Sequence, residues 1–131
     1  MPVTASWSFN QGGSLKSTSK TLSPSDEGVI SINDVAISNG STDKVLSLGG
    51  IDVSQAVAVY MHSTAALTIE TNHTAATGGN TITLVANVPL LWCTGAPFTN
   101  PLTLDVTSAY ATNSSGSAAV LNVVVVQDST P

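Results

Sequence analysis

The sequence predicts an all-β protein: a two-layer antiparallel β-sandwich of the jelly-roll or immunoglobulin-like kind, folded as one domain. Short runs of alternating or β-branched residues recur along the whole chain, and clusters of Gly, Pro, Asn and Ser separate them. No stretch shows the apolar spacing of an amphipathic helix. The 131 residues are enough for one domain with a buried core and too few for two.

The first two predicted strands differ in character. Residues 4–9 alternate apolar and hydroxyl side chains, as a half-buried strand does. Residues 15–22 place two lysines between two leucines, which is typical of an exposed strand, because charges on an edge discourage pairing with another chain. Within the single domain 1–131, we therefore expect residues 1–22 to form either an extended arm or an edge segment.

The rest of the chain contains eight further predicted strands. They are residues 29–37, 45–48, 57–62, 67–71, 81–86, 89–93, 109–112 and 118–126. Residues 57–62 and 67–71 are predicted to form a hairpin around a turn at 63–65. Apart from Asn122, residues 120–126 are apolar on both faces, so we expect a central strand there.

Charged residues are scarce. They make up 8% of the chain, against roughly 25% in an ordinary soluble domain. The 18 serines and 17 threonines indicate a surface covered by hydroxyl groups. Such a surface favours burial in a homo-oligomer or another multi-copy assembly, since freely diffusing proteins usually carry mixed charges.

The charge pattern disfavours two classes of partner. The chain has no arginine, its three lysines (Lys16, Lys20 and Lys44) lie in the first third, and its formal net charge is −5. We therefore expect no nucleic-acid binding, which needs cations to neutralise phosphates. We also expect no membrane association, because the chain contains no run of 18 apolar residues.

The cellular compartment is predicted from two features. The N-terminal residues show no basic and apolar segments of a secretory signal, so we expect synthesis in a cytoplasm. Cys93 is the only cysteine, which excludes an internal disulfide and suits a reducing compartment.

A short pattern, apolar-Asp-Val-hydroxyl, occurs twice, at residues 51–54 and 104–107, and a tyrosine follows each copy. We interpret the two copies as equivalent corners of a two-layer fold. In each corner Asp52 or Asp105 would accept hydrogen bonds from backbone N–H groups. Ser54 and Thr107 would cap a single helical turn leading into the next strand.

Side chains that could carry catalysis show no recognisable spacing. His-x-x-x-His, Cys-x-x-Cys and Gly-x-Ser-x-Gly patterns do not occur, so we expect no enzyme activity, no cofactor and no metal site. His62 and Glu70 are expected to pair across the predicted hairpin. Cys93 follows Trp92 in an apolar strand and is expected to be a buried, inert thiol.

Several stretches of the second half resemble small structural proteins of tailed-bacteriophage virions, of the kind that decorate or cement the capsid. The similarity covers residues 51–128 and is carried by IDVS (51–54), LTIETN (67–72), NTITL (80–84), PLLW (89–92), DVT (105–107), YATN (110–113) and VQD (126–128). The resemblance implies a sandwich or jelly-roll domain present in many copies on the outer capsid surface. Its partner would be the lattice of the major capsid protein.

Candidate contacts with that partner lie in the first segment, at Trp7, Phe9, Lys16 and Lys20. Two alternatives to a decoration protein stay open at this point. One is a tail-tube, connector or fibre component of the virion. The other is a carbohydrate-binding module using Trp7, Trp92, Tyr60 and Tyr110, although both tryptophans are also expected as core anchors.

Overall fold

Antiparallel strands build almost all of this protein. A computed structural model describes residues 3–23, 27–74 and 78–128, without the side chains of Phe9, Gln11, Leu15 and Glu27. Within those residues the strands are β1 (Val3–Gln11), β2 (Ser14–Leu22), β3 (Glu27–Ile37), β4 (Lys44–Leu46), β5 (Ala56–Ser63), β6 (Leu67–Thr71), β7 (Thr81–Leu84), β8 (Leu90–Cys93), β9 (Ala109–Thr112) and β10 (Ala119–Asp128). One turn of 3-10 helix, Val53–Gln55, precedes β5.

Eight strands form a sandwich, and the other two form a separate hairpin. The first sheet has the order β3-β10-β5-β8, the second has the order β4-β9-β6-β7, and β1 pairs only with β2. The pairs are nested: β3 with β10, β4 with β9, β5 with β8, and β6 with β7, all antiparallel. Nested pairing of eight strands in two sheets is the winding of a jelly roll. The predicted all-β sandwich is confirmed, with the jelly-roll arrangement of the two that the sequence allowed.

The core lies between the two sheets and follows from the alternation of side chains. In β6 and β7 every second residue is buried, and the outward positions carry Thr and Glu. Strand β10 lies between β3 and β5, as its apolar sequence predicts. The largest fully buried side chains are Ile37, Leu48, Ile51, Met61, Ile69, Leu84, Leu102, Leu121, Val59, Val106, Val123 and Val125.

The hairpin predicted from residues 57–62 and 67–71 is wrong, because β5 and β6 belong to different sheets. The short connection between them crosses from one layer to the other. Its inward residues, Ser63 and Ala65, are buried, and Ser63 Oγ donates to the Ala65 carbonyl (2.6 Å). Thr64 N–H is held by the Val120 carbonyl of β10 (3.1 Å). Both strands send alternate side chains into the core, so they face each other across it.

The long edge strand β3 carries a β-bulge. Its register with β10 shifts around Asn122, and Asp34 adopts a positive φ of 51°. Asp34 N–H donates to Asn122 Oδ1 (2.9 Å), and Asn122 Nδ2 donates back to Asp34 Oδ1 (3.3 Å). Such a bulge twists an exposed edge and makes it a poorer template for further strands.

Strand β10 contains a buried and an exposed valine, so the same substitution at both positions tests how much burial contributes to the free energy of unfolding. Val123 is 0% exposed and Val120 in the same strand is 37% exposed. We expect Val123→Ala to lower the free energy of unfolding by about 2–3 kcal/mol, because it removes buried methyl groups and leaves a cavity. Val120→Ala is expected to change it by less than about 0.5–1 kcal/mol. Chemical denaturation with unchanged m-values measures both, and equal losses would contradict the placement of the core.

Candidate interaction surface

The β1–β2 hairpin lies on the outer face of the first sheet. Its residues Val3, Trp7 and Leu22 pack around a small apolar cluster that is separate from the main core. The buried members of that cluster are Ala5, Ala58, Cys93 and Val126. The sequence places Ala at position 5 between larger apolar residues, so the strand can approach the sheet closely at that point.

The register of the hairpin sorts its side chains onto two faces. Directly opposed residues share a face, and the pairs Ala5–Lys20 and Trp7–Thr18, together with Lys16, belong to the face that holds the buried Ala5. Between positions 4 and 8 of β1, and at the opposed positions 17–21 of β2, the outward face carries only small polar side chains. These residues are Thr4, Ser6, Ser8, Ser17, Ser19 and Thr21, and all are exposed.

A cleft opens between the hairpin and the loop that follows β8. It has a volume of about 340 Å³ and is lined by Trp7, Thr18, Lys20, Cys93 and residues 95–98. We call it the hairpin cleft. Lys20 Nζ donates to the Thr94 carbonyl and so ties the hairpin to this loop. Trp92 Nε1 donates to the Phe98 carbonyl (3.1 Å) and fixes the far wall.

All four predicted contact residues belong to this hairpin. Trp7 is half-buried at the cleft, whereas Lys16 and Lys20 are exposed. The register puts Phe9 opposite Lys16, but its side chain lies outside the described atoms. Sequence reasoning missed Phe98, which completes the cleft with half of its surface exposed. The nearest sequence signal is the Gly-Ala-Pro stretch at residues 95–97, whose proline restricts the backbone but does not indicate its position against β1 and β2.

The two similar corner motifs lie against each other. Ile51 and Val106 form an isolated antiparallel bridge, with N–H to carbonyl distances of 3.1 and 2.9 Å. Asp105 Oδ1 accepts from Val53 N–H (2.9 Å), which ties the two copies together a second time. The two copies of the pattern, residues 51–54 and 104–107, thus bond to each other. Their role in the structure is to hold the two loops that contain them together.

The capping roles differ from those expected. Asp52 is the N-cap of the 3-10 turn, and its Oδ1 accepts from Ser54 N–H (2.9 Å) and Ser54 Oγ (2.6 Å). Ser54 therefore lies inside the turn and does not cap it. Thr107 donates through its N–H and its hydroxyl to Asn72 Oδ1 (2.8 and 3.1 Å), and caps no helix among the described residues. Asn72 can hold this loop because it accepts a positive φ of 68°.

The candidate polar pair is not formed. His62 lies opposite Asn122 of β10 in the first sheet. Glu70 lies in the second sheet between Tyr110 and Thr81, and its Oε2 has no hydrogen-bond partner in the described part of the chain. The pairing of His62 with Glu70 is therefore wrong, since their strands are in different layers. Cys93 is buried, and His73 is an exposed loop residue.

The aromatic residues considered for a sugar platform lie on three different surfaces. Trp7 covers the outer face of the first sheet, and Tyr60 lines a groove on that same face. Trp92 packs against the core between the sheets. Tyr110 is half-buried between two inward-facing alanines of β9, on the outer face of the second sheet. These four side chains therefore do not form one stacking surface.

Among the described residues, no three side chains of His, Cys, Asp or Glu come together in a way that could hold a metal ion. No described helix has the length and apolar character needed to cross a membrane.

Comparisons with known proteins return no match: no family model, no curated protein and no solved structure is similar to this chain. The function of the chain is therefore inferred from its own geometry.

The single thiol reports whether the hairpin stays in place. Cys93 is buried beneath the hairpin, beside Ala5. We expect Ala5→Glu to raise the rate at which Cys93 reacts with a maleimide by at least about tenfold, because an unpaired carboxylate in this cluster lifts the hairpin. Ser6→Glu, on the outward face of the same strand, should leave the rate within about twofold. Equal rates in both variants would contradict this packing of the hairpin.

Proposed function

We propose that this protein is a structural virion subunit, a decoration or cement protein that binds the lattice of the major capsid protein at the outer capsid surface. The observation that carries the proposal is the β1–β2 hairpin. It is an accessory element with its own register, anchored to a complete sandwich and presenting an exposed strip of hydroxyl groups. The core between the two sheets contains no residue of this strip, so the strip is not needed to complete the core.

The chemistry of that strip suits a permanent protein contact. Serine and threonine lose little side-chain entropy when they are held, and they can donate and accept hydrogen bonds in many geometries. They also avoid the large cost of removing charges from water. A face made of uncharged hydroxyl side chains can therefore lie against a repeated protein surface at low energetic cost.

The fold is compatible with this role. Jelly rolls occur in viral capsid domains and also in lectins and cupins. Fold alone does not decide function, so the jelly roll raises the prior for a capsid role without assigning one. The scarcity of charge in the whole chain points the same way, because an assembled subunit depends less on its surface charge for solubility.

A cement protein acts by differential binding. A subunit that contacts two or more coat proteins in the mature lattice, and fewer in the immature one, stabilises the mature state by mass action. Each contact can be weak, because attachment at several points raises the effective concentration of the next contact. On this proposal the hairpin supplies one such contact.

The proposal is tested on particles from the source of the chain by quantitative mass spectrometry. We expect a copy number on the scale of the coat subunits. A handful of copies per particle, as for a tail or connector component, would contradict decoration.

A matched pair of variants tests the hairpin as the contact. Ser8→Glu places a charge on the outward strip, and Thr83→Glu places one on the exposed face of β7. We expect Ser8→Glu to lower particle occupancy about tenfold or more, since the charge must be desolvated without a partner. Thr83→Glu should leave occupancy unchanged. Equal occupancy of both variants would remove the hairpin strip from the contact.

A further inference from the structure

The turn between β3 and β4 contains the one asparagine of the sequence that is followed by glycine. Asn39 and Gly40 are the two central residues of this turn, which Ser41 N–H closes by donating to the Ser38 carbonyl (3.1 Å). Gly40 has a φ of 82°, and Asn39 is not among the described residues with a positive φ. These angles are those of a type II turn, which favours glycine at its third position.

This dipeptide is the one in the chain best suited to deamidation. The Gly40 nitrogen can bond to Asn39 Cγ, because glycine has no Cβ to hinder the approach. The Cγ–Nδ2 bond then breaks, and Nδ2 leaves as ammonia with the proton that the Gly40 amide gives up. Water opens the resulting five-membered imide at either carbonyl and leaves an aspartate or an isoaspartate at position 39. A neutral amide is thereby replaced by a carboxylate.

In the folded chain both reacting groups are hydrogen-bonded to the loop formed by residues 113–117. Gly40 N–H donates to the Asn113 carbonyl (2.8 Å), and Asn39 Oδ1 accepts from Gly116 N–H (3.1 Å). Asn113 N–H donates in return to the Ser41 carbonyl (2.8 Å). The Gly40 nitrogen must give up its proton and turn toward the side chain of Asn39 before it can react. The reaction therefore requires the turn to separate locally from the loop.

Side chains of the loop hold it in this position. Asn113 is 0% exposed, and its Nδ2 donates to the carbonyls of Ile37 (3.0 Å) and Ser117 (2.8 Å). Ser115 donates to Asn113 Oδ1 through its N–H (3.1 Å) and its Oγ (2.7 Å). The neighbouring Ser114 is exposed, and its side chain has no hydrogen-bond partner in the described part of the chain. Ser115 thus supports the loop, and Ser114 offers a matched control.

We propose that Asn39 is a modification site of this chain, and that it deamidates only when the turn 38–41 separates from the loop 113–117. Closure of this end of the sandwich then sets the rate of modification. An isoaspartate adds one atom to the main chain, so it shifts Gly40 N–H relative to the Asn113 carbonyl and hinders closure afterwards. The inference concerns the chain alone and does not depend on the proposed capsid role.

Peptide mapping by mass spectrometry tests the site and its protection. The full chain is incubated at mildly alkaline pH in buffer and, in parallel, in guanidinium chloride, which separates the turn from the loop. In denaturant we expect position 39 to convert before any other asparagine. In the folded chain its conversion should be at least about tenfold slower, since only the open fraction reacts.

A matched pair of variants tests whether the loop controls the rate. In the folded chain Ser115→Ala should raise the conversion rate at position 39 about threefold or more, because it removes the hydroxyl that bonds Asn113 Oδ1. Ser114→Ala should leave the rate within about twofold. In denaturant the wild type and both variants should convert equally, since neither substitution adjoins Asn39 in sequence. Hydrogen exchange at the Gly40 amide should rise in Ser115→Ala by the same factor, because the same opening exposes it.

Three results would overturn the proposal: conversion of another asparagine before Asn39 in denaturant, equal rates at position 39 in the folded and the denatured chain, or equal rates in the two folded variants. The capsid proposal would be unaffected by any of them, because its tests measure copy number and occupancy on particles.

Discussion

The arrangement of this protein depends on an apolar row on the outer face of its first sheet. Ala58, Cys93 and Val126 lie on that face, on the side away from the main core. Leaving such a row in water would cost free energy, roughly in proportion to its apolar area, and would invite association. The β1–β2 hairpin covers the row with Ala5 and Trp7. The candidate contact residues all belong to this hairpin, so its packing on the apolar row fixes where they lie.

Coverage of that row leaves the hairpin with two unlike surfaces. The side facing the sheet carries the lysines and joins the cleft ending at Phe98, while the outward side carries small hydroxyl residues from Thr4 to Ser8 and at the opposed positions of β2. On the proposed function, the outward side is the one that contacts a protein lattice. A subunit held on a lattice in this way gains from many weak contacts, each of which alone would be too weak to persist. The absence of arginine and the low charge of the chain agree with such a role.

Much of the fold could be predicted from local sequence patterns, because period-two alternation directly encodes which residues are buried. The central position of β10 followed from its two apolar faces. The sheet membership of β5 and β6 could not be predicted, since a short turn serves equally for a hairpin and for a crossing between layers. The joint between Ile51 and Val106 was visible as a repeated motif, but its mutual pairing needs a contact 55 residues apart in sequence. Phe98 was missed for the same reason: a rigid loop has no pattern that reveals what it packs against.

Zero-length cross-linking of intact particles, followed by mass spectrometry, tests the central claim that the hairpin makes the intermolecular contacts. A carbodiimide joins a lysine to a carboxylate only where the two groups touch. The chain offers Lys16 and Lys20 on the hairpin and Lys44 on the opposite sheet as matched reporters. We expect Lys16 to be joined to carboxylates of other chains and Lys44 to remain unmodified. Intermolecular links from Lys44, with none from the hairpin, would contradict the account.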